Sequence, residues 1–234
     1  MESRELSSSE LKKEQQKTLE TPRMHYGISA WLLFRLMDVV YGRKAALSKF
    51  LVLEIIARMP YVAWEQVSYV AITHTHSAPK FARRIHGEVL DAREQQDNEL
   101  WHLLIIEELT QTRGYKKHGL IRVRVLPQIL AYLYYHLSWF LYVLKPRWSY
   151  LLNAQFEDHA EHEYMGYVRD HPETDDEKWE SSFRDEYGNY ETVGDLLRAI
   201  ALDERHHKLK SLEQIEQARF HQFDDGDDDD NASK

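Results

Sequence analysis

Two short segments of this 234-residue chain repeat one pairing of side chains. DNELWHLL sets Glu99 three residues before His102, and LDERHHKL sets Glu204 three residues before His207. On a helix, positions i and i+3 share a face, so each pair can present a carboxylate and an imidazole to one point. Bundle proteins that hold two irons or two manganeses draw Glu-x-x-His from each of two helices and a single Glu from each of two others. The chemistry suits that set, because four carboxylates neutralise two divalent ions and imidazoles suit iron. Two more glutamates must therefore come from two further helices. One is Glu54, inside the apolar run FLVLEIIA, where a carboxylate is costly to bury unless it is paired, for example with Arg58, or bound to metal. The other lies in FEDHAEHEY, which offers Glu157, Glu161 and Glu163. Periodicity leaves that choice open, since Glu157 and Glu161 share a face.

The elements that must position these residues follow from apolar spacing. Helices are expected over Ile28–Tyr41, Ala45–Ile72 with a kink at Pro60, Pro79–Leu109, Leu120–Val168 with a bend near Lys145–Pro146, and Thr192–Phe220. His171–Tyr190 is polar and acidic and reads as a loop. Only 9 glycines and 6 prolines are present, too few for a many-stranded sheet with its tight turns. The expected organisation is a flexible segment 1–24, one helical domain 25–220 and a disordered acidic tail 221–234, whose aspartates repel one another.

Composition excludes several classes of function. A net charge of -9 with no basic stripe argues against a nucleic-acid partner. The absence of cysteine removes disulfides and thiolate catalysis. The first twenty residues lack the apolar stretch of a signal peptide, and their glutamates fit a transit peptide poorly. No run reaches the roughly 18–20 apolar residues of a membrane span. Ile129–Leu144 comes nearest; it contains His136, expected as a core histidine, and is rich in Tyr and Trp, which favour a membrane interface. Together with AWLLFRLMDVVY it can lie in the plane of a bilayer surface, or form a dimer face. His74 and His76 are expected at the surface, and Asn98 and Asp203, each preceding a Glu of the paired motifs, as hydrogen-bond partners of the site.

FLVLEIIARMPY, NELWHLLIIEEL, FEDHAEHEY and LDERHHKL resemble, in order, the four iron-binding motifs of the alternative oxidases, nearest to the plastid terminal oxidase branch. The resemblance covers roughly Leu32 to Leu212. It implies an all-α, ferritin-like four-helix bundle holding a di-iron centre, with an additional interfacial membrane-binding helix. It also selects Glu157, seven positions before Tyr164, and so completes the ligand set Glu54, Glu99, His102, Glu157, Glu204 and His207. Tyr164 is implied as a redox-active tyrosine. A quinol, either plastoquinol or ubiquinol, is implied to dock against Leu53, Ala160 and Tyr164, with Arg35 and Asp38 near the pocket mouth. The implied reaction is quinol oxidation with reduction of oxygen to water at a non-haem di-iron centre, without proton pumping. The implied setting is monotopic attachment to membrane lipid of a thylakoid or respiratory membrane, as a homodimer.

Lys49, Ile55 and Glu163 depart from the family, where Arg, Thr and Thr are usual, and the segment before the last helix is shorter than in the plastid branch. A di-iron hydroxylase acting on a quinone or lipid would share the ligands, but Tyr164 at its spacing speaks against it. A ferritin-like iron store would not need the aromatic, interface-seeking helices.

Overall fold

The computed structural model describes residues 6–113 and 121–216. Its helices are α1 (Ser8–Glu20), α2 (Ile28–Tyr41), α3 (Leu47–Ala57), α4 (Met59–Thr75), α5 (Pro79–Thr112), α6 (Leu126–Leu144), α7 (Pro146–Asp170), the short α8 (Arg184–Tyr187) and α9 (Val193–Glu216). A single π turn, Ile121–Val125, leads into α6. The protein is all-α, and among the described residues the only β pairing is an isolated bridge between Lys178 and Thr192.

Proline chemistry sets the joints. Only Arg58, itself in helical conformation, separates α3 from α4, and Pro60, lacking an N–H, falls in the first turn of α4. The expected kink is therefore a near-continuous helix with one interruption. Lys145, before Pro146, is driven to extended backbone (φ -156°, ψ 96°) and turns the chain from α6 into α7. The 34-residue α5 runs about 50 Å at 1.5 Å per residue.

The α3–α4 pair, α5, α7 and α9 form a four-helix bundle: α7 lies along α9, and α5 packs on α3 and α4. Phe50, Leu53 and Ile56 of α3, Ile105 and Ile106 of α5, Phe156 and Met165 of α7, and Leu197 and Ile200 of α9 fill its core. Outside the bundle, α6 packs on α4 and α7, and α2 on α3 and α7.

Segment 1–24, expected to be flexible, instead contains α1, packed on α7 and α9. Its start is capped by Glu10, whose carboxylate accepts the Ser7 N–H at 2.9 Å. Its buried face is largely polar, namely Leu11, Gln15 and Thr18, so no apolar stripe announces it. Gln15 donates to the Met165 carbonyl at 2.9 Å, Thr18 to Glu161 at 2.7 Å, and Arg205 to Glu14 at 2.5 Å. The acidic tail lies outside the described residues.

Two helices leave apolar faces uncovered: Ile28, Trp31, Leu32, Leu36 and Val39 on α2, and Ile129, Tyr132, Leu133, Phe140, Val143 and Leu144 on α6. His136, expected in the core, is exposed on this α6 face, with Nδ1 on the Tyr132 carbonyl. Tyr134 and Ser138, rather than His136, face inward because they share the buried side of α6 with Leu130. No helix among the described residues is long and apolar enough to cross a membrane.

Candidate metal centre

The four bundle helices bring the six expected residues to one buried place. Glu54 comes from α3, Glu99 and His102 from α5, Glu157 from α7, and Glu204 and His207 from α9, each at most 3% exposed. They fall into two groups whose ligand atoms lie within 4.8 Å of one another: Glu54, Glu99, His102 and Glu204, and Glu99, Glu157, Glu204 and His207. Glu99 and Glu204 belong to both groups. Two neighbouring cations could be held by the two groups.

Polar satisfaction tests the fit. Glu54 Oε2, both oxygens of Glu99 and of Glu204, Glu157 Oε2, His102 Nδ1 and His207 Nδ1 are buried without a well-formed hydrogen bond. Orphans of this kind are rare in folded proteins, and eight of them converging imply a cation. They face one another closely: His207 Nδ1 is 2.7 Å from Glu99 Oε1, and His102 Nδ1 is 3.1 Å from Glu204 Oε1. The donor set of four carboxylates and two imidazoles fits two divalent transition metals.

Without cations the cluster must share protons. Burial raises Glu54 to about 8, with Glu204 and Glu99 adding repulsion. Burial, Glu204 and Glu99 push Glu157 well above the carboxylate range, and burial and Glu99 raise Glu204. Burial would raise Glu99 too, but the close imidazoles of His102 and His207 outweigh it and hold Glu99 at about 2. Burial opposes charging of His102 and His207, yet the surrounding anions outweigh it and raise both.

Neighbours orient the six. The Tyr187 hydroxyl donates to Asp203 Oδ2 at 2.7 Å, and that oxygen lies 3.2 Å from His102 Nε2, leaving Nδ1 turned to the cluster. Asn98 donates to the same oxygen at 3.3 Å, as expected of the two flanking residues. Tyr61 donates to Glu157 Oε1 at 2.7 Å and accepts from Asn153 at 2.9 Å. Tyr164, wholly buried and stacked on Phe50, donates its hydroxyl to Glu54 Oε1. Neither Tyr61 nor Tyr187 was expected. Tyr61 had a signal, since it follows Glu54 by seven residues and two helical turns on nearly continuous helix; Tyr187, in a polar loop, had none.

A model of the alternative oxidase family matches residues 1–213. The chain belongs to the alternative oxidase family. Over 150 residues it is 30% identical to "Ubiquinol oxidase 4, chloroplastic/chromoplastic" of Arabidopsis thaliana, a stretch covering 63% of this chain and 39% of that protein. The chain thus matches about two fifths of the length of this curated relative.

The residues expected around a substrate divide. Leu53 and Ala160 are buried, Leu53 in the same core cluster as Tyr164, Asp38 is half-buried, and Arg35 is exposed on α2, 5.9 Å from the Trp31 ring. Two charged residues meet here: Lys49, 1% exposed, pairs with Asp38 at 2.9 Å and with Glu163 at 3.6 Å, and Arg23 takes the other oxygen of Glu163 at 2.9 Å. A further cluster on α7, Asp158, Glu161 and His162, has metal-like spacing. There the Lys208 ammonium already sits between Asp158 (3.0 Å) and Glu161 (2.6 Å), so a salt bridge fills the place of an ion.

Proposed function

We propose that this alternative oxidase family member is a membrane-bound quinol:oxygen oxidoreductase, in which two quinols give four electrons and four protons to one oxygen to form two waters. The observation that carries this reading is the pair of overlapping Glu/His groups with the Tyr164 hydroxyl held on one of their carboxylates. Glu54, Glu99, His102, Glu157, Glu204 and His207 would hold two irons per chain. Bound there, the irons would supply the redox and oxygen-binding chemistry.

The side chains have separate tasks. Glu99 and Glu204, which belong to both groups, would supply negative charge to both cations. Asp203 and Tyr187 fix the His102 ring, and Tyr61 fixes Glu157. Tyr164 can release one electron and one proton next to Glu54. The core around Phe50 and Phe156 keeps bulk water away. The quinol head lies against Leu53, Ala160 and Tyr164, with Asp38 at the rim and Arg35 on the outward face of α2.

Attachment to lipid is through the apolar faces of α2 and α6, lying in the interface rather than crossing it. Part of the same surface serves a homodimer. The quinol is ubiquinol, the substrate in the chloroplastic relative's name, or plastoquinol, as the resemblance implies.

The test is oxygen uptake by detergent-purified protein with short-chain ubiquinol and plastoquinol analogues, with product analysis. Stoichiometric quinone and water support the oxidase. A hydroxylated quinone or lipid would instead support the hydroxylase, and iron uptake without quinol turnover the storage protein.

A further inference from the structure

His159 on α7 is 7% exposed, and its Nε2 is buried without any hydrogen-bond partner. Its other nitrogen decides what Nε2 can do. Arg23 Nη1 lies 3.0 Å from Nδ1, and a guanidinium can only donate. Nδ1 must therefore accept, which puts the ring proton on Nε2. The result is a buried N–H donor with nothing to donate to, an uncommon and costly arrangement.

The ring is held rigidly. It stacks on Phe34 of α2 at 3.9 Å between centroids, with Tyr26 edge-on at 6.1 Å. Arg23 is itself fixed by Glu163. The carboxylates near it are engaged elsewhere: Asp38 bonds Lys49, and Asp158 accepts from Lys208, Tyr26 and the Met24 N–H. Ala160, the next residue, is one of those against which the quinol head is placed.

We infer that His159 donates its Nε2–H to an oxygen of the quinol or quinone head group, anchoring a ring with para oxygens between α2 and α7. The inference rests on the quinol-oxidase reading. A ring oxygen is a neutral acceptor that matches a neutral donor, and it would give Nε2–H the partner it lacks among the described residues.

Two variants of the full chain test it. His159→Phe keeps the stack on Phe34 but has no N–H; His159→Gln restores an N–H at similar reach. With decyl-ubiquinol as substrate, His159→Phe should raise KM about tenfold, the scale of one hydrogen bond, with kcat, iron content and melting temperature little changed. His159→Gln should recover most of the affinity. An unchanged KM in His159→Phe overturns the inference, as does an equal KM rise in both variants with a lowered melting temperature. Binding of oxidised decyl-ubiquinone, followed by tryptophan quenching, separates this from failure of the oxidase reading. If the native protein turns over no quinol yet binds the quinone, weaker binding by His159→Phe still supports the anchor. Equal binding, or none by the native protein, refutes it.

Discussion

Glu204→Gln offers a test with opposite signs in the metal-free and metal-loaded protein. The change keeps shape and removes one charge from a residue that belongs to both cation groups. In the metal-free protein, burial and Glu99 make that charge unfavourable. Removing it should stabilise by about 1–3 kcal/mol, the scale of an uncompensated buried polar group. At 2–4 °C per kcal/mol for a chain of this size, melting should rise by roughly 2–12 °C. In the loaded protein each site contributes about 2.7 kcal/mol at a hundredfold excess of metal over Kd. Two sites that both lose a shared ligand should forfeit most of roughly 5 kcal/mol, or about 10–20 °C. Calorimetry of chelated and ferrous-loaded samples, native and variant, gives the four melting temperatures. The native protein should show a large metal-dependent rise and the variant almost none, from a higher starting point. Parallel lowering in both states would refute the reasoning and make Glu204 a structural carboxylate.

Three further outcomes follow from the same geometry. The metal-free protein should lose stability as pH rises from about 4.5 to about 8: Glu54, at about 8, is a carboxyl raised above its unfolded value, and Glu157, Glu204 and both histidines shift in the same direction, so their contribution is greatest when protonated. Chemical denaturation across that range checks it, and metal loading should flatten the slope. Tyr164→Phe should keep iron and fold, since volume barely changes, while oxygen uptake with quinol falls by at least about a hundredfold, or about 2.7 kcal/mol of barrier; normal turnover with full iron would remove the hydroxyl from the reaction. Binding to neutral liposomes should persist in about 1 M salt, because the faces of α2 and α6 are apolar, and should drop in a Trp31→Glu, Leu32→Glu variant measured by flotation.

The paired motifs were readable because helical geometry forces residues three apart onto one face, whatever the rest of the fold does. Glu54 was readable because a carboxylate amid apolar residues needs a partner. The choice among Glu157, Glu161 and Glu163 was not: all three are largely buried, and their fates are decided by neighbours remote in sequence. Glu157 meets Tyr61, Glu161 meets Thr18 and Lys208, and Glu163 meets Arg23 and Lys49. The joints at Pro60 and Pro146 followed from proline's missing N–H. Helix α1 escaped because its contacts are hydrogen bonds and ion pairs rather than an apolar stripe. His136 was misplaced because α6 is apolar on both sides, and periodicity cannot tell which side is covered.

Lys49 and Glu163 show how two charged residues beside the core can constrain each other. With Arg23 and Asp38 they make a ring of two positive and two negative groups, and the ring is neutral as a whole. Changing Glu163 alone to threonine would leave a surplus positive charge around a lysine that water scarcely reaches. Neutralising Lys49 alone would leave a surplus negative one. Either single change unbalances the ring while the paired change does not, so the two positions act as one unit in space. A substrate pocket transplanted from a relative must therefore bring its whole set of charges with it.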